Sequence, residues 1–280
     1  MIIHQIFNNN VISVFDEVGR ERVVMGKGIG FKRNSGQTIL ASDVEKVFYL
    51  DDAGNHERFK LLLQEIPEEI IVLTDDIVTI AKLTLGKKLN ELVYIALADH
   101  LHFALERHEK GLEIKNVLLW EIKRLYQDEF NVGLQALKLV EEKFNIKLPE
   151  DEAAYIALHI VNAELNEEMP NIVSMTKVIQ EVLNLVKYHF ALEWDENTLA
   201  YHRFVTHLKF FAQRLVTRTE YEGDESALFD LVKMQYPKSY ICTEKISSFI
   251  QTKYDYRLTD EEKLYLTVHI TRLIKEKKSS

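Results

Sequence analysis

The pattern of apolar and polar positions changes character near residue 58. Before that point, short β-branched runs at residues 11–15, 22–25 and 44–50 alternate with turn-like stretches rich in Gly and Asn. Short runs at this spacing predict a small antiparallel sheet. A sheet of about 55 residues is small for an independent core, and we therefore expect a second copy of the chain to help stabilise it.

From residue 58 onward, apolar side chains recur at three- and four-residue spacing, as at Leu92, Ile95 and Phe103. This period is typical of amphipathic helices. Thr259 with Glu262 has the spacing of a capping box, in which each residue satisfies the other's free backbone N–H at a helix start. Residues 58–280 are therefore predicted to be nearly all helical.

The helical part contains an internal repeat. The string DHLHFALER at 99–107 aligns with THLKFFAQR at 206–214, and LPEDEAAYIALHI at 148–160 aligns with LTDEEKLYLTVHI at 258–270. A unit of roughly 105–110 residues is too long for a solenoid repeat and fits a duplicated helical domain.

Four of the ten histidines fall at positions matched by the repeat, His100 with His207 and His159 with His269. They could be buried structural residues, although packing alone does not require His in both copies. A zinc site needs three or four ligands, and each copy repeats only two histidines. Neutral imidazole is also a nucleophile, with an ordinary pKa of about 6.5. Phosphorylation would add a charge of about −2, which can bias an interface.

The formal net charge of −9 argues against nucleic-acid binding over the whole surface. The acidity is uneven, since residues 1–50 hold six Lys or Arg against five Asp or Glu, and residues 51–280 carry the remaining −10. The segment 20–33 is locally basic, with Glu21 as its one acid. A small basic nucleic-acid-binding segment near the N-terminus is therefore compatible with an acidic protein.

Several residue types in the first 35 positions suit RNA. Asn side chains at 8–10 offer donors and acceptors, Phe31 can stack on an unpaired base, and glycines at 26, 28 and 30 allow close backbone approach. Each feature has a structural alternative: a turn for the asparagines, a bulge or hairpin for the glycines, the core for Phe31, and a solvated face for the basic residues.

Composition and motifs narrow the possible cellular compartment and functional class of the protein. Cys242 is the single cysteine, which excludes an intrachain disulfide and a cysteine-based zinc site and fits a reducing compartment. The N-terminus lacks the basic region of a signal peptide, and no run of about 18 apolar residues is present. No P-loop, nucleophile elbow or zinc-ligand set occurs. We expect a soluble cytoplasmic protein that is not an enzyme and uses no cofactor or metal.

The strings FNNNVISV (7–14), VVMGKGIGF (23–31) and VEKVF (44–48), together with both histidine-bearing repeats, resemble the bacterial transcriptional antiterminators of the BglG/SacY family, in particular its β-glucoside type. The resemblance covers the whole chain. It implies a multidomain α+β protein: a small antiparallel β-sheet RNA-binding domain (co-antiterminator, 1–57) followed by two homologous all-α helical bundles, the PTS regulation domains or PRDs (58–170 and 171–280).

The resemblance also implies a mechanism. The N-terminal domain would act as a homodimer that binds a hairpin in a nascent leader mRNA, the ribonucleic antiterminator, so that an overlapping terminator cannot form. A sugar-specific permease (enzyme II) of the phosphotransferase system would phosphorylate the first PRD and silence the protein. The carrier HPr would phosphorylate the second PRD and activate it.

Carried onto this sequence, the resemblance implies two sets of site residues. The phosphorylated residues are His100, His159, His207 and His269, and the RNA-binding residues are Asn8, Asn10, Gly26, Lys27, Phe31, Lys32 and Arg33. Relatives often carry Lys near the start, where this chain has Ile2 and Gln5. The competing interpretation is a PRD-containing DNA-binding activator, which would need a helix-turn-helix where this sequence predicts strands.

Overall fold

The computed structural model describes residues 1–16, 18–48, 60–63, 65–191, 193, 195–196, 198–219 and 226–277. The chain divides into two compact units, Met1–Glu167 and Glu168–Ser280. Unit 1 holds a small sheet and a helical bundle, and unit 2 is a helical bundle.

Four antiparallel strands form the sheet in the order β1-β2-β3-β4. The strands are β1 (Ile2–Ile6), β2 (Val11–Phe15), β3 (Glu21–Met25) and β4 (Lys46–Phe48). The predicted runs at 11–15 and 22–25 are confirmed as β2 and β3, with β3 beginning one residue earlier. The third run, predicted over 44–50, is confirmed as a strand at 46–48. Val44 and Glu45 precede that strand, and the last two residues of the run lie outside the described part.

Strand β1 was not predicted from the sequence. Its pairing with β2 shifts register between Ile3 and Gln5, so the strand contains a bulge or irregularity. An extra residue breaks the period-two alternation of buried and exposed side chains that marks a strand. Ile2 is exposed and Ile3 is buried, yet both are apolar. Two adjacent apolar residues therefore hide the alternation that would mark the strand in the sequence.

Both faces of the sheet are covered. On one face Ile12, Val14 and Val24 pack with Ile29 and Ile39 from the sheet's own loops. The other face contributes to a core shared with the first helical bundle. The residues of that shared core include Val11, Val23, Met25 and Phe48 from the sheet and Leu63, Ile66, Ile70 and Ile71 from the bundle.

The first bundle supplies part of the core that a sheet of this size lacks, since hydrophobic stabilisation grows with the apolar area removed from water. The same chain therefore supplies part of this stabilisation, and the contribution expected from a second copy stays a prediction.

The helices of unit 1 pack around one core. They are α1 (Glu68–Leu85), α2 (Leu92–Glu109), α3 (Leu119–Leu125), α4 (Gln127–Phe144) and α5 (Glu150–Leu165). Helix α4 packs closely on α5 and on α1, and α2 packs on α1 and α5. Gly133 in α4 is required by this packing, because a Cβ there would lie 2.3 Å from the carbonyl oxygen of Ala153.

Unit 2 repeats this packing scheme. Its helices are α6 (Met169–Phe190), α7 (Leu199–Thr217), α8 (Ser226–Gln235), α9 (Pro237–Tyr254) and α10 (Asp260–Lys277). Helix α7 packs on α6 and α10, and α9 packs on α10 and α6. The predicted capping box is confirmed at the start of α10, where Thr259 N donates to Glu262 Oε2 (3.1 Å) and Glu262 N donates to Thr259 Oγ1 (3.2 Å).

Candidate functional site

Unit 1 brings the first pair of repeat-matched histidines together. His100 lies on α2 and His159 on α5, two helices that pack against each other, and their ring centroids are 5.0 Å apart. Tyr155, one turn before His159 on α5, lies 5.6 Å from the His100 ring. Residues separated by about 59 positions in sequence thus form one aromatic cluster.

A buried carboxylate accompanies this pair. Glu152 Oε2 lies 2.9 Å from His100 Nε2, an ion-pair distance without hydrogen-bond alignment, and Glu152 Oε1 accepts a hydrogen bond from Arg107 at 3.1 Å. Burial raises the pKa of Glu152, but His100 and Arg107 together hold that pKa below its usual value. Glu152 is therefore an anion that can orient the His100 ring while Arg107 balances its charge.

His159 is the more strongly perturbed member of the first pair. Burial, and after it the charge of His100, lowers the pKa of His159 to about 3. Its ring is consequently neutral at neutral pH, the form in which imidazole is nucleophilic. Its Nδ1 atom is buried without a hydrogen-bond partner in the described chain.

Unit 2 builds an equivalent cluster with closer rings. His207 on α7 and His269 on α10 have centroids 3.9 Å apart, and Tyr265 stacks 5.8 Å from His207. His207 is exposed, whereas His269 is only 5% exposed. A cavity of about 150 Å³ beside the pair is lined by both histidines, by Arg214 and Tyr265, by the carboxylates of Glu261 and Glu262, and by apolar side chains.

The carboxylate of the second cluster has different partners. Glu262 Oε1 accepts hydrogen bonds from Tyr256 Oη at 2.9 Å and from Arg214 Nε at 3.4 Å. Within the described part of the chain, no carboxylate lies at ion-pair distance from His207. The two clusters therefore share residue types but differ in the charge that faces His100 and His207.

Cations act on the second pair. Burial, followed by the charges of Arg272 and Arg214, lowers the pKa of His207. Burial, followed by the charges of His207, Arg272 and Arg203, lowers the pKa of His269 to about 4. Both rings are thus held in the neutral form at neutral pH.

Three repeated residue pairs near the histidines were given no role by the sequence analysis. The structure places Glu152, Arg107 and Tyr155 around the first pair, and Glu262, Arg214 and Tyr265 around the second. Each of these residues is matched across the repeat, so the signal was present in the alignment. The alignment could not show that they point at the histidines.

In the N-terminal sheet, the side chains of Asn8 and Asn10 make internal bonds. Asn8 Oδ1 accepts from the N–H groups of Asn10 (2.9 Å) and Val11 (2.8 Å), which closes a turn. Asn10 Oδ1 accepts from Gly28 N at 2.6 Å, and its Nδ2 donates to Glu68 Oε1 at 2.5 Å. These residues fix the turn and tie it both to the glycine-rich loop and to the start of α1.

The glycine-rich loop is packed against the chain's own backbone. A Cβ at Gly26 would lie 2.0 Å from the Asp43 carbonyl oxygen, and one at Gly30 would lie 2.4 Å from the Asn8 carbonyl oxygen. Close approach thus requires glycine at both positions without any ligand. This corresponds to the structural alternative weighed for the glycines.

An exposed basic and aromatic surface follows on the same loop. Lys27 and Lys32 are exposed, and Phe31 is 55% exposed with Lys32 Nζ 5.2 Å from its ring centroid. Arg33 differs from these residues because its guanidinium is paired with Asp43 at 2.9 Å. A solvent-facing ring flanked by cations can stack on a base and attract phosphates.

No group of three or more His, Cys, Asp or Glu side chains within the described residues could hold a metal ion. No helix in the described chain is long and apolar enough to cross a membrane.

Comparison with protein families assigns both kinds of domain. Residues 1–57 match the CAT RNA binding domain, and residues 75–163 and 180–273 each match the PRD domain. The double match confirms the predicted duplication. A sheet-built RNA-binding domain followed by two such helical domains defines a class of regulatory RNA-binding proteins.

Similarity to curated proteins specifies the family. The chain is 54% identical over 276 residues to transcription antiterminator LicT of Bacillus subtilis (99% of this chain, 100% of the relative). It is 48% identical over 276 residues to the beta-glucoside operon antiterminator of Dickeya chrysanthemi (99% and 98%). The crystal structure of GlcT CAT-PRDI is 33% identical with a TM-score of 0.54, covering 58% of this chain and 97% of that one. This chain therefore belongs to the PRD-containing transcription antiterminators.

Proposed function

We propose that this protein is a transcriptional antiterminator that binds an RNA hairpin in a nascent leader mRNA and prevents formation of a terminator. The names of the relatives above and the match to an RNA-binding domain support this proposal. The name of the Dickeya relative supports β-glucoside utilisation as the controlled process. We place the protein in the cytoplasm and assign it a regulatory role without catalytic turnover.

The proposed division is an RNA-binding domain at 1–57, a first PRD at 58–170 and a second PRD at 171–280. The ranges matched by the family models lie inside these three segments. The end of the first helical segment, near residue 170, also lies close to the boundary between the two compact units.

The proposed RNA surface centres on Lys27, Phe31 and Lys32. The observation that carries it is the exposed Phe31 ring with a lysine beside it, because an apolar ring of that size is usually buried. Asn8, Asn10, Gly26 and Arg33 would shape the loop that presents these side chains, through the internal bonds described above.

Filter binding of the full chain to a leader hairpin tests this surface. Phe31→Ala is expected to weaken binding roughly tenfold or more, because stacking of one base contributes about 1–3 kcal/mol. Lys32→Ala should reduce the steepness of the slope of log K against log salt concentration by about one, because one phosphate contact is lost. Leu40→Ala, which removes an exposed apolar side chain of the same domain, is the control and should leave affinity unchanged.

Two results would contradict the RNA proposal. Equal binding of hairpin and scrambled duplex RNA at physiological salt would remove hairpin recognition. Preference for duplex DNA over RNA would favour the alternative function, a PRD-containing DNA-binding activator.

The proposed control is phosphorylation of the matched histidines by the sugar phosphotransferase system. A sugar-specific enzyme II would modify His100 and His159 and silence the protein, and HPr would modify His207 and His269 and activate it. The neutral rings of His159 and His269 and the solvent access of His207 support a role as phosphoryl acceptors. The protein would act as a homodimer.

A terminator–reporter assay tests these roles through Asp, which introduces negative charge. His207→Asp with His269→Asp should raise read-through, and His100→Asp should lower it. His202→Asp, on the exposed surface of α7 and unmatched by the repeat, serves as control. The opposite signs would refute the assigned roles. Sedimentation of the double variant should report a larger dimer fraction than the unsubstituted chain.

A further inference from the structure

We propose that Arg203 and Arg272 form a cationic cradle that binds the phosphoryl group carried by the second histidine pair, and that the first pair lacks such a cradle. This inference rests on the proposed phosphorylation of His207 or His269. It assigns two positioning residues that would make the second PRD the better phosphoryl acceptor.

Helix geometry places both arginines beside the pair. Arg203 precedes His207 by four residues on α7, and Arg272 follows His269 by three residues on α10. Residues at these spacings are neighbours on the same helix face. Because α7 and α10 pack together with the two rings 3.9 Å apart, each helix contributes one arginine on the face that carries its histidine.

Both guanidinium groups are available. Arg203 and Arg272 are exposed, and neither is paired with a carboxylate in the described chain. Arg214 lines the same cavity but is already bonded to Glu262. The charge of Arg272 acts on both rings, and that of Arg203 acts on the ring of His269. A guanidinium group binds phosphate oxygens through two parallel hydrogen bonds.

The first pair offers the opposite environment. By the repeat alignment, Arg203 corresponds to Ala96 and Arg272 to Asn162, neither of which carries charge. The arginine that both copies share, Arg107, is bonded to Glu152, whose other oxygen lies 2.9 Å from His100. A phosphoryl group on His100 would meet the Glu152 carboxylate directly. One on His207 or His269 would lie beside two cations, and Glu262, which lines the same cavity with Glu261, is already bonded to Tyr256 and Arg214.

The step itself is an ordinary phosphoryl transfer. The lone pair of a neutral ring nitrogen attacks the donor phosphorus, an N–P bond forms, and the donor's bond to phosphorus breaks with its electrons leaving on the donor. The other ring nitrogen then releases its proton to water. The arginines attract the anionic donor and neutralise the charge that the product retains.

Potassium phosphoramidate, a small donor that needs no partner protein, tests the cradle on the full chain. In this case the P–N bond of the donor breaks and ammonia leaves. Labelling is followed by peptide mass spectrometry at alkaline pH. R203Q with R272Q should slow labelling of His207 and His269 at least tenfold and leave labelling of His100 and His159 unchanged. R257Q, at an exposed arginine elsewhere in unit 2 that is paired with no carboxylate among the described residues, should behave like the unsubstituted chain.

A reverse substitution keeps the test independent of damage to unit 2. A96R with N162R should accelerate labelling of His100 or His159 several-fold. If neither double variant changes the labelling rates, while His207 and His269 are still labelled in the unsubstituted chain, the cradle alone is overturned. No labelling of His207 or His269 in the unsubstituted chain, with either this donor or phosphorylated HPr, would instead overturn the proposed phosphorylation.

Discussion

The two rings of the second histidine pair differ in their access to water. His207 is exposed, whereas His269 is 5% exposed and surrounded by charges that disfavour its protonation. The exposed ring can meet a donor directly, and the buried ring must be reached through the cavity beside it. The access of a phosphoryl donor to each imidazole ring therefore depends on the burial of that ring, since both residues are histidines.

The pKa of His269 makes unit 2 sensitive to acid. Its pKa is about 4 in the folded chain and about 6.5 in an unfolded one, so the unfolded state binds more protons between these values. The stability present above pH 6.5 falls as the pH drops towards 4. At pH 5 the loss from this residue is about 2 kcal/mol.

Hydrogen exchange of α10 amides between pH 7.5 and 5, corrected for intrinsic rates, measures this loss. His269→Gln should reduce the pH dependence, and His202→Gln should retain it. A ring-proton NMR titration of His269 with a midpoint near 6.5 would contradict the expected behaviour.

At the residue scale, the repeat alignment identified both histidine pairs because His recurs at matched positions. The residues that surround the histidines are also matched in the alignment, but the alignment does not show which of them contact the rings. Glu152 and Glu262 are equivalent in sequence, yet one faces His100 and the other faces Tyr256 and Arg214. Such a difference arises from side-chain rotation and local charge, which sequence period does not encode.

Asn10 illustrates a different limit. Its amide was expected to face RNA, and the structure bonds it to Gly28 and Glu68. A bond to a residue 58 positions away depends on the packing of the sheet on α1, and no local pattern indicates it.

At the element scale, the helices were predictable and their ends less so. Period 3.6 and the Thr259–Glu262 box located the bundles, whereas the bulge in β1 removed the strand signal. Several helices end at a residue in the left-handed region, which favours glycine. In this chain, those residues include Asn145, Asn166, Ala191, Arg218 and Asp255, as well as Gly86.

Ala191, at the end of α6, gives a direct test of this strain. Its φ is 49°, a conformation that costs a residue with a Cβ about 1–2 kcal/mol. Ala191→Gly removes that cost but adds freedom to the unfolded chain, so a net gain of about 0.5–1 kcal/mol is expected.

Hydrogen exchange of α6 amides should show the gain as slower opening. The matched substitution Ala96→Gly, in the interior of α2, should destabilise its own bundle by about 1 kcal/mol. Equal destabilisation by both glycines would contradict the assignment of strain to Ala191.

At the scale of unit 1, the sheet and the first bundle are joined by polar contacts as well as by the shared core. Glu68 accepts hydrogen bonds from Asn9 N (3.2 Å) and from Asn10 Nδ2, and Lys46 Nζ donates to Asp75 at 2.9 Å. In this arrangement, α1 occupies the Asn10 amide, which the resemblance to the family assigned to RNA.

Removing that carboxylate should favour RNA binding. Glu68→Ala frees the Asn10 amide, and we expect roughly fivefold tighter hairpin binding by the full chain, or about 1 kcal/mol. Glu69→Ala is the matched control, because Glu69 is the adjacent exposed residue on the same helix turn. Weaker or unchanged binding of the Glu68 variant would show that the contact does not compete with RNA.

The shared core also bears on how such proteins change over generations. Val11, Val23, Met25 and Phe48 meet Leu63 and Ile70 across a close-packed boundary, where a change of one methylene is felt on both sides. The RNA reader and its regulator are therefore not freely exchangeable parts. A recombinant that joined the first 57 residues of one relative to the bundle of another would combine two halves of a core that evolved separately. Its first defect would be poor packing where the sheet meets the bundle.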